Sequence, residues 1–481
     1  LCTGNSYGNS SINISGTNKM ELVVKGDFII DNPTFVVNNT QKDIIVYGDL
    51  MLTTNRARFT VSATSADNRL HIYGDIINDG TLGLNNATGG SMEAIFKGVQ
   101  NTVIDGTGQY FFYRIIVDKG TNRNAVVTLL APITVAQANP LLELKNGTFR
   151  VNRAEADLVI TYRNTDFTIP HTAALSVVDG NVRIATSTVS GSGKLCLAGR
   201  LEVLGGKMFI GNSMYNTNHS IEYVAAGNPE IIVEDGELHV NGQIRRLTAV
   251  TTGNLHYRQS GGTTTIYGKS RIATRGLFEI DNLGSFEMSG GTLQFDRPSV
   301  AGTTFGDVVL KPDSLSVTGG MIKFGLPTSI ANYNFKMIAS SPVWDLTVGN
   351  EIIPQLLTTN AYAITVKGEL LINEASQFIA NGLNVTLKGN IVNKNTSAST
   401  NLTEGGYQPG TNTQTTIFSG NIQNITGTEN NLTNFANLVI EPTSSVSLLE
   451  NTTVRVNNTL EIRSGTLIDG GNFVYAAGDI V

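Results

Sequence analysis

Apolar residues in this chain recur at i and i+2 in runs of three to five, and helical spacing is absent. One pattern repeats near the start. Leu22 to Ile30, Ile44 to Leu52 and Leu70 to Asn78 each read as a short apolar strand, a corner and a second short strand. The corner is Lys25-Gly26-Asp27, then Tyr47-Gly48-Asp49, then Tyr73-Gly74-Asp75. The glycines are 48 − 26 = 22 and 74 − 48 = 26 residues apart. Asn-Asn at 38–39 and 85–86, and Asn-Asp-Gly at 78–80, supply turns.

A strand this short is not stable alone. Stacked parallel on copies of itself, it gains hydrogen bonds above and below at a spacing of about 4.8 Å. Inward Val, Ile, Leu and Phe then form apolar columns. Glycine at the corner supplies a positive φ or a close backbone approach, and asparagine supplies turn geometry and side-chain ladders. The pattern predicts an all-β parallel β-solenoid (a β-helix). At about 24 residues per rung it gives roughly 20 rungs and a rod of about 95 Å. A string of antiparallel β-sandwiches is the rival fold, and the repeats are too short for it.

Residues 1–20 read as a lead-in or a first incomplete rung, and 21–481 as continuous solenoid. A longer super-repeat overlies the single rung near 98–151, 305–372 and 420–481. Phe112 follows Gly98 by 14 residues and Phe435 follows Gly420 by 15. The corner pattern recurs at Gly199, Gly242, Gly268, Gly368 and Gly389. Residues 392–416, rich in Asn, Thr, Ser and Gly, read as an exposed excursion.

Composition narrows the function classes. Only 15% of residues are charged, the net charge is −6, and no Lys/Arg cluster of nucleic-acid type occurs. The longest apolar run, Ala125 to Ala136, contains Thr128 and Pro132 and is too short to span a membrane. Cys2 and Cys196 fall about eight rungs apart, beyond disulfide reach, and Cys196 reads as a buried strand thiol. The chain starts without Met and stops inside a rung, which reads as a segment of a longer secreted chain.

The candidate chemistry is sparse. Asp27, Asp49 and Asp75 would form an acidic file, a Ca²⁺ site in the functional reading and caps for corner amides in the structural one. Tyr47, Tyr73 and Tyr267 share a position with Lys25, Lys97, Lys367 and Lys388, as a sugar-binding strip or a stacking ladder. Trp344 reads as core. His71, His171, His219, His239 and His256 show no metal-binding spacing and read as solvated or strand-face residues. A polysaccharide lyase or hydrolase would need converging acids; Arg245-Arg246 and Asp235 read as scattered. No catalytic residue and no cofactor is expected.

The series Gly420, Phe435, Leu438, Ile440, Val446, Leu448, Leu460, Ile462, Gly465, Thr466 and Leu467 resembles repeats of very long secreted proteins of Bacteroidota. These are type IX secretion cargo and include surface and gliding adhesins. The resemblance implies export to the cell surface, and as partners the outer-membrane secretion and anchoring machinery with surface polysaccharide or a host or other substratum. Asp313-Ser314-Leu315 matches the O-glycosylation pattern of that phylum, which makes Ser314 a candidate. The expected role is a non-catalytic structural or adhesive stalk. A carbohydrate-active β-helix enzyme and a passive sugar- or Ca²⁺-binding module are the alternatives.

Overall fold

The computed structural model describes residues 11–481 except 16–17, 39–40, 63–65, 87, 137–140, 163–165, 187–191, 212–217, 225–226, 248–253, 270–273, 299–305 and 430. Among the described residues there is no helix. Parallel strands stack as a β-solenoid of about 16 turns. The chain forms two compact units, one through His219 plus Ala226–Ile232, the other Ser220–Ala225 plus Val233–Val481.

In the first unit a coil is three short strands joined by tight corners. Met20–Val24, Phe28–Ile30 and Thr34–Val37 make one coil, and Lys42–Val46, Leu50–Leu52 and Arg58–Val61 make the next. Each strand pairs with its counterpart one coil on. The result is a file of eight inward residues: Phe28, Leu50, Ile76, Ile104, Leu129, Val151, Val177 and Val203. All eight are buried. Each contributes about 1.5–3 kcal/mol of apolar burial. Ser11–Ile14 already pairs with Thr34–Val37, so the described part of the lead-in belongs to the solenoid.

The second unit repeats the arrangement. Thr264, Leu293, Ile322, Leu346, Leu370, Ile391, Ile425 and Leu448 form its buried file. Along this file the offset between paired residues runs from 391 − 370 = 21 to 425 − 391 = 34. Longer corners therefore explain why the coils are fewer than a uniform 24-residue period gives.

The corner glycines are required by proximity, not by φ. A Cβ on Gly48 would lie 2.6 Å from the Gly26 carbonyl carbon, and one on Gly74 would lie 2.5 Å from the Gly48 carbonyl oxygen. Neither glycine has a positive φ, whereas Gly98, next in the file of corners, does (82°). At Gly26 a Cβ would meet nothing within 4 Å among the described residues. The Gly48 amide donates to the Gly26 carbonyl at 3.1 Å, closing the stack at the corner.

Amides pin the polar interior. Gln243 donates to the Arg275 and Gly276 carbonyls at 3.1 and 2.9 Å. Asn395 donates to Ser376 at 2.7 Å, and Asn431 to Asn393 at 2.8 Å. These bonds shrink the expected 392–416 excursion. Ile391–Asn393, Tyr407–Gln408 and Thr415–Phe418 are sheet strands, Tyr407 stacks on Phe378 at 5.6 Å, and exposure is concentrated at 396–404 and 411–413. Trp344 is also not core. It is half-buried at a corner, and Gly368 leaves room for it: a Cβ there would lie 2.9 Å from the indole Cδ1 and Nε1. The alternation turns Val343 inward and Trp344 out.

Thermal denaturation checks the corner geometry. Gly48→Ala and Gly74→Ala are expected to lower stability by several kcal/mol, of the order of core overpacking. Gly26→Ala is expected to be near neutral, within about 0.5 kcal/mol.

Candidate functional site

The Asp27, Asp49 and Asp75 carboxylates are brought into one file, and each is committed to the coil that follows. Asp27 Oδ1 accepts from the Asp49 amide at 2.9 Å, Asp49 Oδ1 from the Asp75 amide at 2.8 Å, and Asp75 Oδ1 from the Val103 amide at 2.8 Å. The second unit uses the same device. Asp345 Oδ1 accepts from the Glu369 amide at 2.7 Å, and Asn390 Oδ1 from the Asn424 amide at 2.9 Å. Asn390 shows that the task needs an acceptor rather than a charge. Among the described residues no group of three or more His, Cys, Asp and Glu side chains could hold a metal ion.

The other side of the same corner carries Lys25, Tyr47, Tyr73, Lys97 and Asp118, one per coil. The Tyr47 and Tyr73 rings stack with centroids 4.7 Å apart and planes 28° apart. Tyr73 lies against Gly98, where a Cβ would be 3.3 Å from its Cδ1. Lys97 Nζ pairs with Asp118 Oδ2 at 2.5 Å, and Asn146 donates to the other Asp118 oxygen at 2.8 Å. The Lys97 and Asn146 bonds hold the Asp118 carboxyl below its ordinary range despite partial burial. Tyr267, in the second unit, is buried and bonds His239 Nδ1 at 3.1 Å. There, Lys367 Nζ donates to the Val317 carbonyl at 2.7 Å, and Lys388 follows one coil on.

The fold also assembles a buried charge network that pattern reading missed. Glu222 and Arg245 are register partners, with Arg245 Nη2 and Nε at 3.2 and 3.3 Å from Glu222 Oε2. Arg246 reaches Asp281 at 3.2 Å and Glu279 at 3.6 Å, and Lys311 completes Asp281 at 3.0 Å. Glu279 accepts the Gly276 amide at 2.9 Å, and Tyr223 donates to the Glu279 carbonyl at 2.8 Å. Burial lowers the Arg245 pKa, and Glu222 opposes that shift. Asp235 is exposed and outside the network. The sequence signal was opposite charge at coil spacing: 245 − 222 = 23 and 279 − 245 = 34.

Other candidates separate. His219 is fully buried, not solvated, and burial pulls its pKa down to about 4. His71 is half-buried on a strand face, His171 is exposed, and His256 bonds Ser285 Oγ at 2.9 Å. Cys196 is half-buried with Sγ 3.7 Å from Asp166 Oδ2, because Leu195 and Leu197 take the inward positions; Cys2 lies outside the described residues. Ser314 opens the strand Ser314–Phe324 and is exposed, as is Leu315. Lys119 is buried with Nζ on the Lys97 carbonyl at 2.7 Å, and burial lowers its pKa to about 8.

No family model, no curated protein and no solved structure matches this chain. The structure itself makes it a repeat-rich β-helix protein.

Two measurements check these assignments. Arg246→Met takes the cation from buried Glu279 and leaves Asp281 with Lys311 alone, and is expected to cost about 3–5 kcal/mol in denaturant titration. Asp49→Ala is expected to cost about 1 kcal/mol and Asp49→Asn, which keeps an acceptor, less than half of that. For His219 the unfolded chain binds a proton near 6.5 and the folded chain only near about 4. Stability conferred by neutral His219 is therefore complete above 6.5 and is lost as pH falls through that window. His219→Gln should flatten that part of the stability profile.

Proposed function

We propose that this chain is a structural and adhesive stalk of a secreted or cell-surface bacterial protein, without chemistry of its own. The observation that carries the reading is how the polar side chains are used. The corner carboxylates cap backbone amides of the next coil. The network of Glu222, Glu279 and Asp281 is closed by Arg245, Arg246 and Lys311 inside the protein, where a substrate would have to displace an ion pair. A stack that spends its acids on holding coils together suits a load-bearing spacer that presents other modules.

The surface placement rests on the resemblance to type IX secretion cargo of Bacteroidota. In that setting the partners are the secretion and anchoring machinery of the outer membrane, and surface polysaccharide or another substratum. Exposed Ser314 is then a site for O-glycosylation, since Asp313, Ser314 and Leu315, all exposed, stand together at a strand start.

Antibody labelling of intact and permeabilised source cells tests the placement. The proposal expects equal labelling of both. Labelling only after permeabilisation would overturn it.

A further inference from the structure

The outward face of the first coils is organised in three lanes. The strands Met20–Val24, Lys42–Val46, Asn68–Ile72, Met92–Phe96 and Arg114–Asp118 are in continuous register. One edge lane is Glu21, Asp43, Arg69, Glu93 and Arg114. The middle lane is Val23, Ile45, His71, Ile95 and Ile116. The corner lane is Lys25, Tyr47, Tyr73, Lys97 and Asp118. Val23 is 43% exposed and Tyr47 50% exposed, and Ile45, His71 and Tyr73 are half-buried. These five outward residues are ring and aliphatic surface that the stack does not need for its interior.

The tyrosines are laid like tiles. Tyr73 rests against Gly98, and Tyr47 rests on Tyr73. Tyr47 is thus the more open ring, with Lys25 beside it one coil back. Charges on the face balance: Glu21, Asp43, Glu93 and Asp118 stand against Lys25, Arg69, Lys97 and Arg114, four of each sign. The later ones are internally paired, Glu93 with Arg114 at 3.2 Å and with Arg69 at 3.9 Å, and Lys97 with Asp118 at 2.5 Å. A polyanion or an acidic membrane gains nothing net from such a face. An uncharged chain with apolar C–H faces and hydroxyl edges gains ring stacking in the middle and hydrogen bonds along both edges.

We infer that this face binds a neutral polysaccharide lying along the stack, with Tyr47, Tyr73, Val23 and Ile45 as its platform. The inference names the ligand class for the adhesive role proposed above and rests on that reading for its biological setting. Its physical basis is the charge balance and the open aromatic tile. A polar group stands on each edge once per coil, at about 4.8 Å, so successive sugar units each meet a hydrogen-bonding partner on either side.

Calorimetric titration of the whole chain with soluble β-glucan, mannan and galactan, and with alginate as a polyuronate, tests it. Saturable binding to a neutral polymer, unchanged at high salt, is expected. Tyr47→Ala should weaken it about tenfold, with an unchanged melting temperature, and Tyr47→Phe should retain it. Binding to none of the neutral polymers overturns the inference. So does binding to alginate alone that salt abolishes, or a Tyr47→Ala variant that binds like the parent. Self-association of the chain that Tyr47→Ala disrupts would assign the face to a second copy instead and also overturn it. If titration fails while intact cells label, the glycan inference falls and the stalk reading stands. If titration succeeds and only permeabilised cells label, the stalk's surface placement falls and the binding face stands.

Discussion

Backbone meets backbone at the corners of this protein, and the rest of the structure depends on that approach. Gly48 and Gly74 sit so near the preceding coil that a methyl group has no room. The closeness lets the Gly48 amide reach Gly26 and puts the Asp49 amide on the Asp27 carboxylate. Apolar residues on either side of the corner then fall into columns without any long-range instruction. A solenoid is held coil by coil, so one recurrent local contact substitutes for a global plan.

Apolar columns alone leave the register loose, since one Leu or Ile packs much like another. The buried amides and charges remove that freedom. Gln243, Asn395 and Asn431 each bond a backbone carbonyl in a neighbouring coil, and Arg245 finds Glu222 only in the observed pairing. Slipping by one residue would turn such groups into unpaired buried polar atoms, which is costly. The polar interior therefore specifies the stack, while the apolar columns supply most of its stability.

The coil architecture was legible because it rests on local signals. Two-residue alternation and the Gly-Asp corner each lie within nine residues, and they place Gly26, Gly48 and Gly74 in one file correctly. The number of coils was overcounted because offsets stretch to 34 residues where corners lengthen, and corner length leaves no periodic trace. Cys196 lies outward because the strand turns Leu195 and Leu197 inward and so must turn the residue between them out, whereas Trp344 lies outward at the corner that precedes the strand Asp345–Val348. The Arg246 network is hidden for a different reason. Its members are one coil away in space and 23 to 35 residues away in sequence, so no short window contains them. The tyrosine tile was visible as a shared position, but its openness depends on Gly98, in a coil beyond the three that define the pattern.

Function follows from how outward positions differ from inward ones. Inward positions are consumed by packing, and the corner acids by amide caps, so what is left to meet a partner is the outward face. The whole account requires that residues one offset apart lie one coil apart along a common axis within the first unit. Spin labels at Val23 and Ile116, four coils apart, and at Val23 and Glu143, five coils apart, measure this directly by electron–electron resonance. The account gives backbone separations of about 19 and about 24 Å, a step of one strand spacing. Equal separations, or a shorter one for the second pair, would contradict it.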